Sequence, residues 1–431
     1  MNYDIKDFMA FLDESPSGYH AAYNMVKLMM AKGYQILSEH EDWNLQPGGK
    51  YFMVRGGTTL IAFKIPVLEP GQEPKGFMMS ASHLDRPTFK VKENGELQGT
   101  YTRLATERYG GMLIAPWLDR PLSVAGRVLI ETENGIKARL LNIDRDLMLI
   151  PNVAIHMNRA VNDGYKWNPA VDTLPLMGSK DAAGKFWPLV EETAGGKVLG
   201  HDLYLYVRQK ACIWGMDNEY ISSAAIDDLE CAWACTQGFL AAEDTAAVQV
   251  LCAFDDEEVG SNSPQGAAST ILADTLNRIC NALHVNHYRM LAQSFMVSAD
   301  NAHALHPNHP EFADPTNAPV LGGGVVLKFN ASQRYTTDGV SAAVFRKICQ
   351  KENIPTQTFC NRADIPGGST LGHISLTHVS VPTVDVGLAQ LAMHSSYETA
   401  AVKDVQYLAQ AMKAYYSTTL EATADGGCRI E

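Results

Sequence analysis

No stretch of the chain approaches the ~18 uninterrupted apolar residues of a membrane-spanning helix, so none of it is expected to cross a bilayer. Cys-x-x-Cys pairs are lacking as well. The eight cysteines stand at 212, 231, 235, 252, 280, 349, 360 and 428, mostly in apolar segments. That distribution points to reduced, buried thiols in a cytoplasmic protein and away from a disulfide framework. Cys231 and Cys235 share a helix face at i,i+4, where packing is the expected role. Met1-Asn2-Tyr3-Asp4 carries neither a basic nor an apolar leader region, so no signal peptide is expected. A basic excess is missing too. The formal net charge of −13 argues against general binding to nucleic acid or to anionic membranes. There is no repeat at a solenoid period and no low-complexity segment.

What is present is ordinary globular material, 46% hydrophobic and 19% charged over 431 residues. That length accommodates two domains of the usual ~100–200 residues. Residues 4–32 read as two helices broken at Ser15-Pro16-Ser17-Gly18, and short strands follow at 50–54, 59–65 and 76–82. From about residue 92 short alternating runs predict a β-rich region, and 158–200 reads as long loops. From 217 apolar strands alternate with helices. Strands are expected at 248–254, 295–299, 325–329, 356–360 and 382–386, and helices at 229–242, 266–283, 340–352 and 399–418. This pattern predicts an α/β domain with a mostly parallel sheet flanked by helices. It covers residues 1–91 and 217–431, interrupted by a β-rich insert at 92–216.

Asp255-Asp256-Glu257-Glu258 directly follows the apolar run Val248-Gln249-Val250-Leu251-Cys252-Ala253-Phe254. Alone, such a run is a solvated turn. His83-Leu84-Asp85 follows another strand, and its Asp can orient a metal-binding His. Asp300 and His394 also lie just past strands, while Asp227 opens a helix, where capping is the plain alternative. Surface-loop roles suit His306 and His309. In a parallel sheet the carboxyl ends of the strands share one edge, so these side chains can converge. His83, Asp227, Glu258, Asp300 and His394 would suit two divalent ions, zinc or else cobalt or manganese, with one carboxylate bridging. Glu257 would remain free as a base.

The chain resembles the aspartyl aminopeptidase family of dinuclear zinc metallopeptidases over nearly its whole length. The resemblance is carried by Ser15-Pro16-Ser17-Gly18-Tyr19-His20, Pro47-Gly48-Gly49-Lys50-Tyr51-Phe52, Tyr109-Gly110-Gly111, Trp117-Leu118-Asp119-Arg120 and Ala154-Ile155-His156. It continues through Asp255-Asp256-Glu257-Glu258-Val259-Gly260-Ser261, Ser298-Ala299-Asp300-Asn301-Ala302-His303, Gln333-Arg334-Tyr335, Gly368-Ser369-Thr370-Leu371-Gly372 and Met393-His394-Ser395. It implies a zinc-exopeptidase-like fold whose insert mediates dimerisation, with the dimers building a dodecamer. It implies one ion on His83 and Asp300, another on Glu258 and His394, and Asp227 bridging. Glu257 falls on the family's catalytic glutamate, and Asp85 is expected as a second catalytic residue that orients His83. His156 would reach a neighbouring subunit's active site, the alternative being a core histidine. Lys328 and Tyr335 would line a pocket for an acidic substrate side chain, the alternative for Lys328 being a snorkelling edge-strand lysine. The chain departs from the family at Arg86, at Asp228, and at Ser396-Tyr397.

The implied activity is release of N-terminal residues, preferably Asp or Glu, from peptides with a free amino terminus. Two alternatives stand beside it: a neutral, leucine-like preference on the same fold, and a non-catalytic metal-binding scaffold.

Overall fold

A computed structural model describes residues 4–368, 370–423 and 425–431. Met1 to Tyr3 of the segment read for a leader, and Ser369 of the glycine-rich motif, lie outside the described residues.

Fully buried apolar runs build the centre. Phe77–His83, Val248–Phe254, Phe295–Ala299 and Thr383–Gly387 are buried along their whole length, as strands covered on both faces must be. They are the middle of a nine-stranded sheet. Its order is Gln35–Ile36, Lys50–Arg55, Thr59–Lys64, Val248–Phe254, Phe77–His83, Phe295–Ala299, Thr383–Gly387, Val325–Phe329 and Thr356–Cys360. The four central strands are mutually parallel. The pairings of Thr59–Lys64 with its two neighbours, and of Val325–Phe329 with Thr383–Gly387, are antiparallel.

Side chains alternate between two cores, as the period of two in a strand requires. Met78 joins the core with Trp233, Phe239, Val405 and Met412, whereas Phe77 and Met79 join the one with Ile271, Leu276 and Phe254. The first core is closed by the helices Ile226–Ala241 and Val402–Tyr416. They approach closely because Gly238 has no Cβ; one there would lie 2.5 Å from the Met412 Cβ and 2.7 Å from the Lys413 nitrogen. Among the described residues, no helix is long and apolar enough to cross a membrane.

A six-stranded antiparallel sheet runs in the order Gly135–Asn142, Leu122–Thr132, Val198–Val207, Thr88–Leu97, Tyr101–Tyr109, Leu176–Ser179, over a core that includes Phe89, Trp117, Val128 and Leu203. The expectation of long loops at 158–200 is corrected here. That stretch contains the strand Leu176–Ser179 and the helix Phe186–Ala194, whose Phe186 and Val190 are buried. A helix of two and a half turns between glycine- and lysine-rich flanks shows too few periods to register as a pattern.

A third sheet has five short strands: Cys212–Trp214, Tyr220–Ser223, Glu398–Ala401, Ala389–Leu391 and Ala302–His303. It corrects the closing helix, expected from 399. The chain stays extended through Ala401, paired with Tyr220–Ser223, and turns helical at Val402. The helix expected from 266 likewise starts later, at Ile271.

Candidate metal centre

Two kinds of scaffold supply the site. The parallel strands deliver His83, the last residue of Phe77–His83, and the turn after Val248–Phe254, with Phe254 in register beside His83. Asp300 follows Phe295–Ala299 on the same edge. The small five-stranded sheet delivers the others. Tyr220–Ser223 leads into Asp227, and His394 lies between Ala389–Leu391 and Glu398–Ala401.

Asp227 does not occupy the capping position of its helix. That position is held by Ala225, while Asp227 and Asp228 keep non-helical backbone angles before the regular turns begin. The Asp227 carboxylate instead faces two imidazoles, with Oδ1 3.5 Å from His83 Nε2 and Oδ2 3.5 Å from His394 Nε2. His394 Nε2 is also 3.4 Å from Glu258 Oε2. Ligand atoms of His83, Asp227 and Asp300 lie within 4.8 Å of one another, as do those of Asp227, Glu258 and His394, and those of His83, Glu257 and Glu258.

These separations fit a cation between the atoms. Nitrogen and oxygen ligands held at ~2.1 Å in a tetrahedral arrangement stand about 3.4 Å apart. A good N–H···O hydrogen bond is shorter, at ~2.7–3.2 Å. Oδ1 of Asp227 and Oε1 of Glu258 are buried and accept no hydrogen bond among the described residues. Leaving charged oxygens buried and unpaired is costly, and a divalent ion removes that cost.

The electrostatics follow from crowding acids out of water. Burial pushes Glu257 up to about 8, against the pull of His83, and pushes Glu258 well above the usual range. Burial opposes ionisation of Asp227 too, but the facing His394 and His83 hold it below the usual carboxylate range. Burial would lower His394, but Asp227 across the gap raises it to about 8.

The acidic run is not a solvated turn. Asp255 is buried and pushed up to about 8 by that burial and by Asp85. Asp256 does occupy a turn, in the left-handed region at φ 59°, and accepts a hydrogen bond from the Tyr109 hydroxyl. Asp85 holds the turn from below. Its Oδ1 accepts the Glu257 amide and its Oδ2 the Glu258 amide, each at 3.1 Å. It also lies 3.3 Å from His83 Nδ1 and accepts from Tyr109.

Lys328 is fully buried. Its Nζ donates to the carbonyls of Asp300 and Asn301 at 2.7 and 3.2 Å and stands 3.6 Å from Asp300 Oδ1. The anion that a lysine in an apolar strand requires is therefore Asp300, and the snorkelling alternative does not hold. Tyr335, also buried, presents its ring 5.2 Å from that Nζ. His156 is exposed, not a core residue, and belongs to none of the three groups. A cavity of about 400 Å³ opens alongside, lined by His303, Phe359, Gln390, Ala392 and Met393 among others.

Glu398 went unnoticed in the sequence. Its buried carboxylate accepts the amides of both Asp227 and His394. In a run that reads as the start of a helix, nothing marks it out.

Residues 11–416 match the family model described as aminopeptidase I zinc metalloprotease (M18). The chain is 40% identical over 425 residues to a probable M18 family aminopeptidase 2 of Clostridium novyi, covering 95% of this chain and 98% of the relative. A relative of the same description in Pseudomonas entomophila is 37% identical over 416 residues, covering 94% of this chain and 96% of the relative. Among solved structures, the cryo-EM structure of the Ape4 and Nbr1 complex matches with a TM-score of 0.91 at 33% identity, covering 96% of this chain and 85% of that one. The mApe1 dodecamer of S. cerevisiae matches with a TM-score of 0.83 at 26% identity, covering 96% of each.

Proposed function

This chain belongs to the M18 family of aminopeptidase I zinc metalloproteases and is a metal-dependent aminopeptidase of that family; from that premise we propose that it releases acidic N-terminal residues from peptides at a dinuclear centre. The observation that carries the reading is that carboxylate oxygens of Asp227 and Glu258 face two imidazole nitrogens at 3.4–3.5 Å, while Asp227 Oδ1 and Glu258 Oε1 are buried with no hydrogen-bond partner among the described residues. His83 and Asp300 would hold one ion and Glu258 and His394 a second, with Asp227 available to both. Zinc is the expected metal, with cobalt or manganese as substitutes.

Divalent ions in such a site supply Lewis acidity, lowering the pKa of water and polarising a peptide carbonyl. The residues do the rest. Glu257, beside His83 and Glu258, takes a proton from the attacking water and returns it to the leaving amine. Asp85 fixes the turn that carries Glu257 and Glu258 through their two amides. Lys328 and Tyr335 lie behind Asp300 and favour an acidic substrate side chain. His156, exposed on residues 92–216, serves the active site of a neighbouring copy, and those residues form the dimerisation insert of a homo-oligomer. The dodecamer of the S. cerevisiae neighbour supports that assembly. The peptide substrate needs a free amino terminus, and the cytoplasm suits the free thiols.

One observation favours the second reading, a neutral preference: the Lys328 ammonium is already engaged by Asp300 and Asn301. Rates on Asp-, Glu- and Leu-terminated dipeptides with zinc, cobalt and manganese test both. The acidic reading expects Asp and Glu to exceed Leu at least tenfold, about 1.4 kcal/mol of discrimination; a faster Leu substrate overturns it. Bound metal with no hydrolysis of any dipeptide would leave the scaffold reading.

A further inference from the structure

Glu398 begins the strand Glu398–Ala401 and is 2% exposed. Its Oε2 accepts the Asp227 amide at 3.0 Å, and its Oε1 accepts the His394 amide at 2.7 Å. Each oxygen is turned to a backbone amide, and Glu398 belongs to none of the three groups of facing donor atoms. We infer that Glu398 is a positioning residue: one buried carboxylate clamps the backbones of Asp227 and His394 and so sets the gap between their side chains. The inference rests on the dinuclear reading of the site.

The clamp acts where the chain most needs it. His394 and Ala225 both have positive φ, 66° and 60°, a region that disfavours side chains. No glycine relieves either position, so contacts from elsewhere must hold them. For His394 three are present. Glu398 takes its amide, the Leu113 amide donates to its carbonyl at 3.0 Å, and Nδ1 lies 2.5 Å from the Gly111 carbonyl. The last contact makes Nδ1 the donor and turns Nε2, as the acceptor, toward Asp227 and Glu258. Ser223 pairs in register with Glu398, which brings the carboxylate next to the segment leading to Asp227. Asp85 uses the same device on the amides of Glu257 and Glu258. In both places one carboxylate outside the three donor groups takes two backbone amides.

Glu398→Gln keeps the shape but leaves one oxygen acceptor for two amides and turns an NH2 group toward the other. The zinc content and zinc dissociation rate of wild type, Glu398→Gln and Glu398→Asp test the clamp, beside the melting temperature of each metal-free protein. The expected result is that wild type holds two ions, while Glu398→Gln releases one of them about 10–100-fold faster, the usual size for an outer-shell partner. The other ion changes less, and Glu398→Asp recovers part of the loss. Equal release of both ions, with a lowered melting temperature, would mean a structural role only and overturn the inference. Unchanged release of both would also overturn it. A wild type that binds no metal would overturn the dinuclear reading instead. Hydrogen exchange of wild-type, metal-free protein tests the clamp even if a variant does not fold. The amides of Asp227 and His394 are expected to exchange at least tenfold more slowly than unbonded loop amides, and exchange at loop rates refutes the clamp.

Discussion

The strand-edge half of the centre and the small-sheet half are built on different terms. His83, Glu258 and Asp300 follow apolar strands whose direction is fixed by a fully buried sheet, so their convergence is a property of topology. Asp227 and His394 come from short segments with left-handed or non-helical backbone, tied by Glu398 and Gly111. One half is positioned by what it is attached to, the other by what is attached to it. A site can therefore be rigid without all of its ligands standing on long elements, provided that buried acceptors take up the loose amides.

The largest way to break this division is Asp227→Ala, because Asp227 faces both imidazoles. Metal analysis after dialysis is expected to find at most one ion, and peptide hydrolysis to fall by more than ~10⁴-fold; retention of two ions would remove the bridging role. Glu257→Gln, in the strand-edge half, leaves the donors in place. Hydrolysis should drop ~10²–10⁴-fold with metal content unchanged, and near-normal turnover would reassign the base. Asp85→Asn weakens the support of that half while leaving its donors present. A loss of ~10–100-fold in metal affinity or activity is expected, and no change in either would deny Asp85 its part. The smallest effect belongs to the scaffold. Gly238→Ala forces a methyl against Met412 and the Lys413 backbone and should cost about 1–2 kcal/mol in urea denaturation, after a gain in helix propensity of under ~1 kcal/mol. A more stable variant would show that the helices Ile226–Ala241 and Val402–Tyr416 yield easily.

The same division sets what can be read from sequence. Long apolar runs ending in acids or histidine announce strands and the residues beyond them, which is why His83, Asp300 and the Asp255-to-Glu258 run stand out. Asp227 and His394 are legible only in company, since each alone suits a helix cap or a loop and only the shared strand edge groups them with the others. Glu398 was not legible, because its role depends on two backbone amides far apart in the chain, and amides leave no mark in a sequence. Burial was misjudged at Asp255, where an acidic neighbourhood reads as solvated surface. A lysine in an apolar strand reads as needing an anion, and the fold supplies Asp300, one strand crossing away, where the sequence suggests a substrate carboxylate.

The donors grouped around Asp227 span residues 83 to 394, with the clamp at 398. More than 300 residues therefore separate the first donor from the last, and two sheets must form before they stand together. Chains rich in contacts so distant in sequence fold more slowly than chains of local contacts. If these donors act as proposed, a chain that has not yet brought residues 83 and 394 together would lack both the metal site and the activity.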